Sequence, residues 1–379
     1  MKQTFRLGTI RGIPFGIHWS VLVIMVLITD ILARSVLPAA DPAASTGTRW
    51  AVAAVAAALF LASLAAHELA HAFVARRHGV RVGSVTLWML GGVAELADEP
   101  PNARADLRIA GVGPLTSAAA AAAFAGFAAT GAALGVPATV IASLSWIAAT
   151  NGLIAVFNLL PGAPLDGGRI LRAVLWRRHG DKAGANRTAA RAGRMLGGAM
   201  IVGGLVVVLL VSFLSGLWLA LVGWFIAGSA RAEERWTDLR EAAEGLRATD
   251  IMAPHPDHGW SWQHAGTFIE GVALRSRQSV FLVVNVTGDP IGAVTVERLA
   301  LVQPRDARVR LGDLSVPLPS ERVVGPDVPV ITLFHLPPVV GDLVAVVASD
   351  HRLLGIITTG DIQRMLRRNR LRAGTPTTA

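Results

Sequence analysis

Charged residues fall along this chain in blocks separated by long apolar runs, a pattern unlike the short alternations of a water-soluble fold. A helix needs about 20 apolar residues to cross a bilayer. Residues 13–29 form the first such run, which extends past Asp30 towards Leu37. Its basic flank (Lys2, Arg6, Arg11) also resembles a signal peptide, with Pro38-Ala39-Ala40 as a weak cleavage site, but the run is long for that. A second span covers residues 50–73. Residues 109–165 contain no charge at all, enough for two spans, with helix-breaking residues between Gly131 and Pro137. Residues 195–230 are also uncharged and split at 212–216 into two short spans, with one long tilted helix as the rival reading. The pattern predicts six transmembrane helices.

Two further segments follow other rules. Residues 82–96 are apolar but too short to span, and Gly91-Gly92 sits where a hairpin turn would fall. The segment reads either as a small β-hairpin embedded beside the bundle or as an interfacial loop anchored by Trp88. After residue 231 the composition becomes that of a soluble domain and contains an internal repeat. Residues 249–254 (TDIMAP) align with 312–317 (GDLSVP) at an offset of 63, and the same offset pairs Gly292 with Gly355 and Thr295 with Thr358. Such persistence marks two copies of one β-α module. The expected division is residues 1–235 for the membrane domain, 246–305 for the first module and 309–370 for the second.

Composition agrees with a membrane protein: 53% of residues are hydrophobic and 16% charged, against about a quarter charged in soluble domains. Cysteine is absent, so any metal site must use His, Asp and Glu. Lys and Arg outnumber Asp and Glu by 35 to 26, a net charge of +9. No basic stripe interleaved with aromatics accompanies that surplus, which argues against nucleic acid as a partner. The surplus instead collects in alternate loops. Arg76, Arg77, Arg81, Arg104 and Arg108 lie between spans two and three, and Arg169 to Arg194 between four and five. The positive-inside rule then gives a multi-pass protein of the cell membrane with both termini cytoplasmic.

His67-Glu68-Leu69-Ala70-His71 is an H-E-x-x-H sequence inside an apolar span. On a helix the two histidines share a face, and Glu68 sits beside the metal without ligating it. Chance produces this pattern in roughly one chain in a hundred of this length, and ionisable groups within a membrane helix are costly unless employed. Imidazole with carboxylate suits Zn²⁺, which needs a third protein ligand and an open position. Asp166, at the end of the uncharged stretch in N-L-L-P-G-A-P-L-D-G-G, is either that ligand or a helix cap. His255, His258 and His264 match no firm metal spacing and read as solvated or interfacial. His18 beside Trp19 reads as an interfacial anchor, with a place near the active site as the alternative.

Together, H-E-L-A-H, the L-W-M-L-G-G-V-A segment and N-L-L-P-G-A-P-L-D-G-G resemble the site-two proteases, and the two repeats resemble cystathionine-β-synthase (CBS) modules. The resemblance covers nearly the whole chain. It implies a polytopic α-helical membrane protein with six transmembrane helices and an embedded β-hairpin, followed by a cytoplasmic α/β tandem CBS domain. It implies one Zn²⁺ per chain held by His67, His71 and Asp166, with Glu68 as catalytic base and Asn158 stabilising the oxyanion. The substrate would be a membrane-spanning protein, such as an anti-sigma factor or a tethered transcription regulator, cut within the lipid bilayer during regulated intramembrane proteolysis. An unwound substrate strand could pair with the hairpin edge. Thr358 and Asp361 match the S/T-x-x-D pattern with which CBS modules hold an adenosine ribose, so an adenine nucleotide is the expected ligand there; the first repeat carries Arg298 where Asp is expected. The bland alternative is a CBS pair that serves only to form a homodimer. Two rival functions are a proteolytically silent regulator and a CBS-gated transporter. A complete metal-and-base set opposes the first, and the lack of repeated membrane halves opposes the second.

Overall fold

The computed structural model describes residues 4–89, 91–96, 98–303, 308–349 and 352–374. Lys2, Leu90 and Arg305, which figure in the expectations above, lie outside the described residues. The chain forms two compact units, Met1–Thr237 and Asp238–Ala379.

The first unit opens with two strands, β1 (Phe5–Ile10) and β2 (Ile13–Ile17). The expected first span therefore starts too early, because residues 13–17 are strand and not helix. The local chemistry explains the difference. Arg11 and Gly12 both take positive φ (49° and 77°), as a two-residue hairpin turn requires, while Pro14 and Gly16 oppose helix. The first membrane helix is α1 (Ser20–Ile31), carried through a π turn (Leu32–Val36) into α2 (Leu37–Ala40). The second is α3 (Thr46–Arg77), capped by Ser45, whose hydroxyl accepts from the Thr48 N–H.

β3 (Val82–Trp88) and β4 (Gly91–Leu96) form the expected hairpin, but Gly91 and Gly92 are the first residues of β4 and not its turn. They pair with Trp88 and Leu87. The hairpin is also only half of a sheet, because β2 runs parallel to β3 and gives the order β1-β2-β3-β4. Buried Ile13, Phe15, Val85 and Leu87 of this sheet pack with Ala72 of α3. Arg81 and Asp98 close its base through two side-chain hydrogen bonds of 2.8 and 2.7 Å, and Arg81 holds the Asp98 carboxyl below the usual carboxylate range.

α4 (Ala103–Ala133) and α5 (Ala138–Asn158) supply the third and fourth spans. The basic segment beyond Asp166 is itself a helix, α6 (Asp166–His179). α7 (Lys182–Leu210) and α8 (Phe213–Ala243) follow, so the last uncharged run is two helices, α7 starting before the run and α8 ending beyond it. Among the described residues, six helices are thus long and apolar enough to cross a membrane.

The second unit repeats one module. Its elements are α9 (Ala248–Ile251), β5 (Ala253–Pro254), β6 (His258–Trp260), α10 (Ala265–Gly271), β7 (Val280–Val284), β8 (Pro290–Thr295) and α11 (Val296–Ala300), then α12 (Leu311–Leu314), β9 (Val316–Pro317), β10 (Val323–Val324), β11 (Leu343–Ser349), β12 (Arg352–Thr358) and α13 (Thr359–Gly374). The two halves exchange their short strands: β9 completes the sheet β6-β7-β8-β9, and β5 completes β10-β11-β12-β5. Gly292 opposite Pro317 has its counterpart in Gly355 opposite Pro254. The sequence offset is thus also a structural register.

Candidate metal centre

His67 and His71 lie one turn apart near the end of α3, both buried. Asp166 is the first residue of α6, brought over by the preceding loop. Three glycines let that loop fold tightly. A Cβ on Gly167 would lie 2.3 Å from the Leu160 carbonyl, one on Gly168 2.4 Å from the Ala163 nitrogen, and one on Gly162 2.6 Å from Gly193 Cα of α7. The Ala163 N–H donates to the Ala189 carbonyl at 3.1 Å, tying the loop to α7.

The three donor atoms form a nearly equilateral triangle. His67 Nε2 and His71 Nε2 are 3.2 Å apart, and Asp166 Oδ2 is 3.3 Å and 3.2 Å from them. Tetrahedral zinc with bonds of about 2.0–2.1 Å spaces its ligand atoms by about 3.3 Å, so the donor set fits that ion. The outer imidazole nitrogens agree. His71 Nδ1 donates to the Ile109 carbonyl at 2.6 Å, which leaves Nε2 as the metal-facing lone pair, and His67 Nδ1 is 2.8 Å from the buried Ser117 hydroxyl. Among the described residues this is the one group of three His, Asp or Glu side chains placed to hold a metal.

Two backbones crowd the centre. A Cβ on Gly113 of α4 would stand 2.1 Å from His71 Nε2, and one on Gly92 of β4 would stand 2.1 Å from Glu68 Cγ. Sheet and helix therefore close on the site from two directions. Glu68, half-buried, lies alongside β4. Asn158, the last residue of α5, is half-buried, and its side chain makes no hydrogen bond to another described residue.

Other expected residues stand apart. His18 Nδ1 meets the Ser20 hydroxyl at 2.8 Å, and the His18 backbone N–H donates to the Leu87 carbonyl, which pins the start of α1 to the sheet. His255, His258 and His264 do not form a metal cluster. In the second unit Thr358 and Asp361 do meet, but in a reciprocal cap at the head of α13. The Thr358 hydroxyl donates to Asp361 Oδ2 at 2.6 Å, and Arg364 pairs with the other carboxylate oxygen. Thr295 caps α11 by accepting from the Arg298 N–H.

Sequence reasoning missed the fully buried Asp106 of α4. It accepts hydrogen bonds of 2.8 and 2.6 Å from Arg172 of α6, with Arg169 at 3.8 Å. Arg172 also reaches Asn186 of α7 at 3.3 Å. The visible signal was a lone acid close before an uncharged run, opposite an arginine-rich segment.

Spanning helices that enclose a His-His-Asp centre on an H-E-x-x-H helix define an intramembrane zinc metalloprotease. The sequence profile of peptidase family M50 matches residues 55–136 and 135–204. The chain is 41% identical to Rip3 of Mycobacterium tuberculosis over 379 residues, which is 100% of this chain and 96% of that protein. It is 30% identical to zinc metalloprotease MJ0392 of Methanocaldococcus jannaschii over 269 residues, 68% of each. The chain belongs to peptidase family M50. Among solved structures, the Site-2 Protease from Methanocaldococcus jannaschii matches 61% of this chain and 95% of that chain, with 29% identity and a TM-score of 0.42. The C-terminal unit is structurally similar to CBS-domain proteins such as CBSX2 in complex with AMP (18% identity, 33% of this chain and 99% of that one, TM-score 0.27).

Proposed function

We propose that His67, His71 and Asp166 hold the zinc and that Glu68 is the catalytic base in cleavage of a peptide bond within a membrane-spanning substrate. The convergence of three donor atoms at 3.2–3.3 Å beside a non-ligating glutamate carries this reading. When bound, zinc acts as a Lewis acid and lowers the pKa of a bound water to about 7. Glu68 takes one proton from the attacking water and returns it to the amine nitrogen as the C–N bond breaks, so one water is consumed. The uncommitted Asn158 amide donates to the carbonyl oxygen as charge develops there.

β4 supports a way of presenting the substrate. It is an edge strand of its sheet and touches Glu68 at Gly92. An extended substrate segment adds to that edge and brings its carbonyl to the base. The substrate class is a single-span membrane protein, an anti-sigma factor or tethered transcription regulator among them. Arginines in alternate loops favour cytoplasmic termini, which places the cut near the cytoplasmic side. Reporter fusions after Arg81 and Arg178 should read cytoplasm, and one at Gly135 the outside; reversal at Arg178 refutes the orientation.

The modular region, divided as residues 246–305 and 309–370, pairs two chains into a homodimer on this reading. It offers Thr358 and Asp361 to an adenine nucleotide that must displace Arg364 from the carboxylate. Calorimetry with AMP and ATP on wild-type and Asp361→Ala protein tests that part. The protease assignment is tested by Glu68→Gln, which should retain zinc, lose turnover and capture uncut substrate. Cleavage at the wild-type rate by that variant would overturn it.

A further inference from the structure

α3 and α4 leave between them an open groove of about 650 Å³. Val74 of α3 and Gly111, Val112 and Leu115 of α4 form its walls, while Arg77, His78 and Arg108 stand at one end. Polarity thus changes along the groove. The cations lie where α3 ends, and the run from Arg108 to Leu115 carries the groove about 10 Å along an apolar helix. Gly111 opens it, since a Cβ there would meet nothing within 4 Å. Leu115 is 68% exposed on a helix that crosses the membrane.

Arg77 and Arg108 are exposed, and neither makes an ion pair or side-chain hydrogen bond with a described residue. Arg81, Arg172, Lys182 and Arg194 by contrast all have carboxylate partners. Two unpaired guanidinium groups at the mouth of an apolar channel match a molecule with an anion at one end and a hydrocarbon chain at the other. A free phosphate would leave the apolar walls uncovered, and a neutral lipid would leave the arginines unpaired. Guanidinium groups hold phosphate oxygens in bidentate geometry, and basic pockets between membrane helices suit anionic head groups.

We propose that this groove binds an anionic phospholipid, with its phosphate on Arg77 and Arg108 and an acyl chain along Val112 and Leu115. The opposite face of α4 at this level belongs to the metal centre, where Ile109 accepts from His71 and Gly113 abuts both imidazoles. The lipid therefore lies behind the wall of the metal site and outside it.

The test is native mass spectrometry of the full chain released from vesicles of equal phosphatidylglycerol and phosphatidylcholine. Phosphatidylglycerol should be retained in excess. Arg77→Gln and Arg108→Gln should each lower that excess about fivefold. Gly111→Leu fills the groove without altering charge and should abolish retention of either lipid, while Arg178→Gln, an exposed cation on α6, should change nothing. Zinc content, read in parallel, reports that each variant is folded. Equal retention of the two lipids by the wild type overturns the proposal, as does wild-type retention by Gly111→Leu or by a variant carrying both Arg77→Gln and Arg108→Gln.

Discussion

Replacing Asp106 by alanine tests how the third ligand is held in place. The Asp106 carboxylate is wholly buried in α4 and takes two of the three hydrogen bonds of the Arg172 guanidinium, with Arg169 close by. Arg172 lies six residues after Asp166 on α6, so the pair fixes the helix whose first residue completes the metal triangle. Asp106→Ala leaves Arg172, only 14% exposed, without its counterion. Breaking a buried pair on one side costs about 3–5 kcal/mol, read as an earlier midpoint in SDS-induced unfolding of the protein in mixed micelles. A second readout separates positioning from bulk stability. Under conditions where the variant remains folded, its zinc affinity should still fall by about 10–100-fold, the range for loss of groups that orient ligands. Removing both charges with Asp106→Leu and Arg172→Met should restore much of the stability, because an apolar pair of similar volume replaces the ionic one. An unchanged midpoint with unchanged zinc affinity in Asp106→Ala would refute the reasoning.

Other consequences follow from single distances. Gly113→Ala should abolish zinc binding, because its Cβ would stand 2.1 Å from His71 Nε2, whereas Gly111→Ala, with nothing within 4 Å, should bind normally; metal analysis of both variants decides. Ser117→Ala removes the partner of His67 Nδ1 and should weaken zinc about 10–100-fold with little change in the unfolding midpoint. Asn158→Ala should lower turnover by about 10²–10³ at unchanged zinc content, and loss of zinc in that variant would make the residue structural. His67→Ala, His71→Ala and Asp166→Ala should each lose most of the metal, while Glu68→Gln keeps it, as measured by metal content per chain.

The long apolar runs were legible because bilayer thickness fixes a minimum length and water is absent from the span. The same rule misread residues 13–17, since apolar residues serve a strand against a helix as well as they serve a helix against lipid. Here Arg11 and Gly12 at positive φ decide the local structure, and β3 supplies the neighbouring strand that makes it worthwhile. The hairpin was legible as a short apolar segment, but Gly91 and Gly92, expected at its turn, begin its second strand. Glycine marks both turns and close approaches, and Gly92 is the second kind: it makes room for Glu68. The soluble repeat was read in register because its two copies pair identical positions, Val280 with Thr295 and Leu343 with Thr358.

In the metal centre, residue type and local spacing were visible, but convergence between distant elements was not. H-E-x-x-H places two histidines on one face within a single turn, so its geometry is local and readable. Asp166 lies 95 residues from His71, and only the three-dimensional path shows the carboxylate at 3.2 Å rather than merely capping α6. Ser117 and Ile109 were invisible for the same reason, and the backbone carbonyl of Ile109 leaves no mark on side-chain identity at all. Gly113 was in view throughout as one more small residue in an alanine-rich span. Its significance is steric: a side chain there would occupy the space of the ligand nitrogens. A sequence can therefore announce the groups that donate to a metal, while the residues that leave room for it register only as the absence of a side chain.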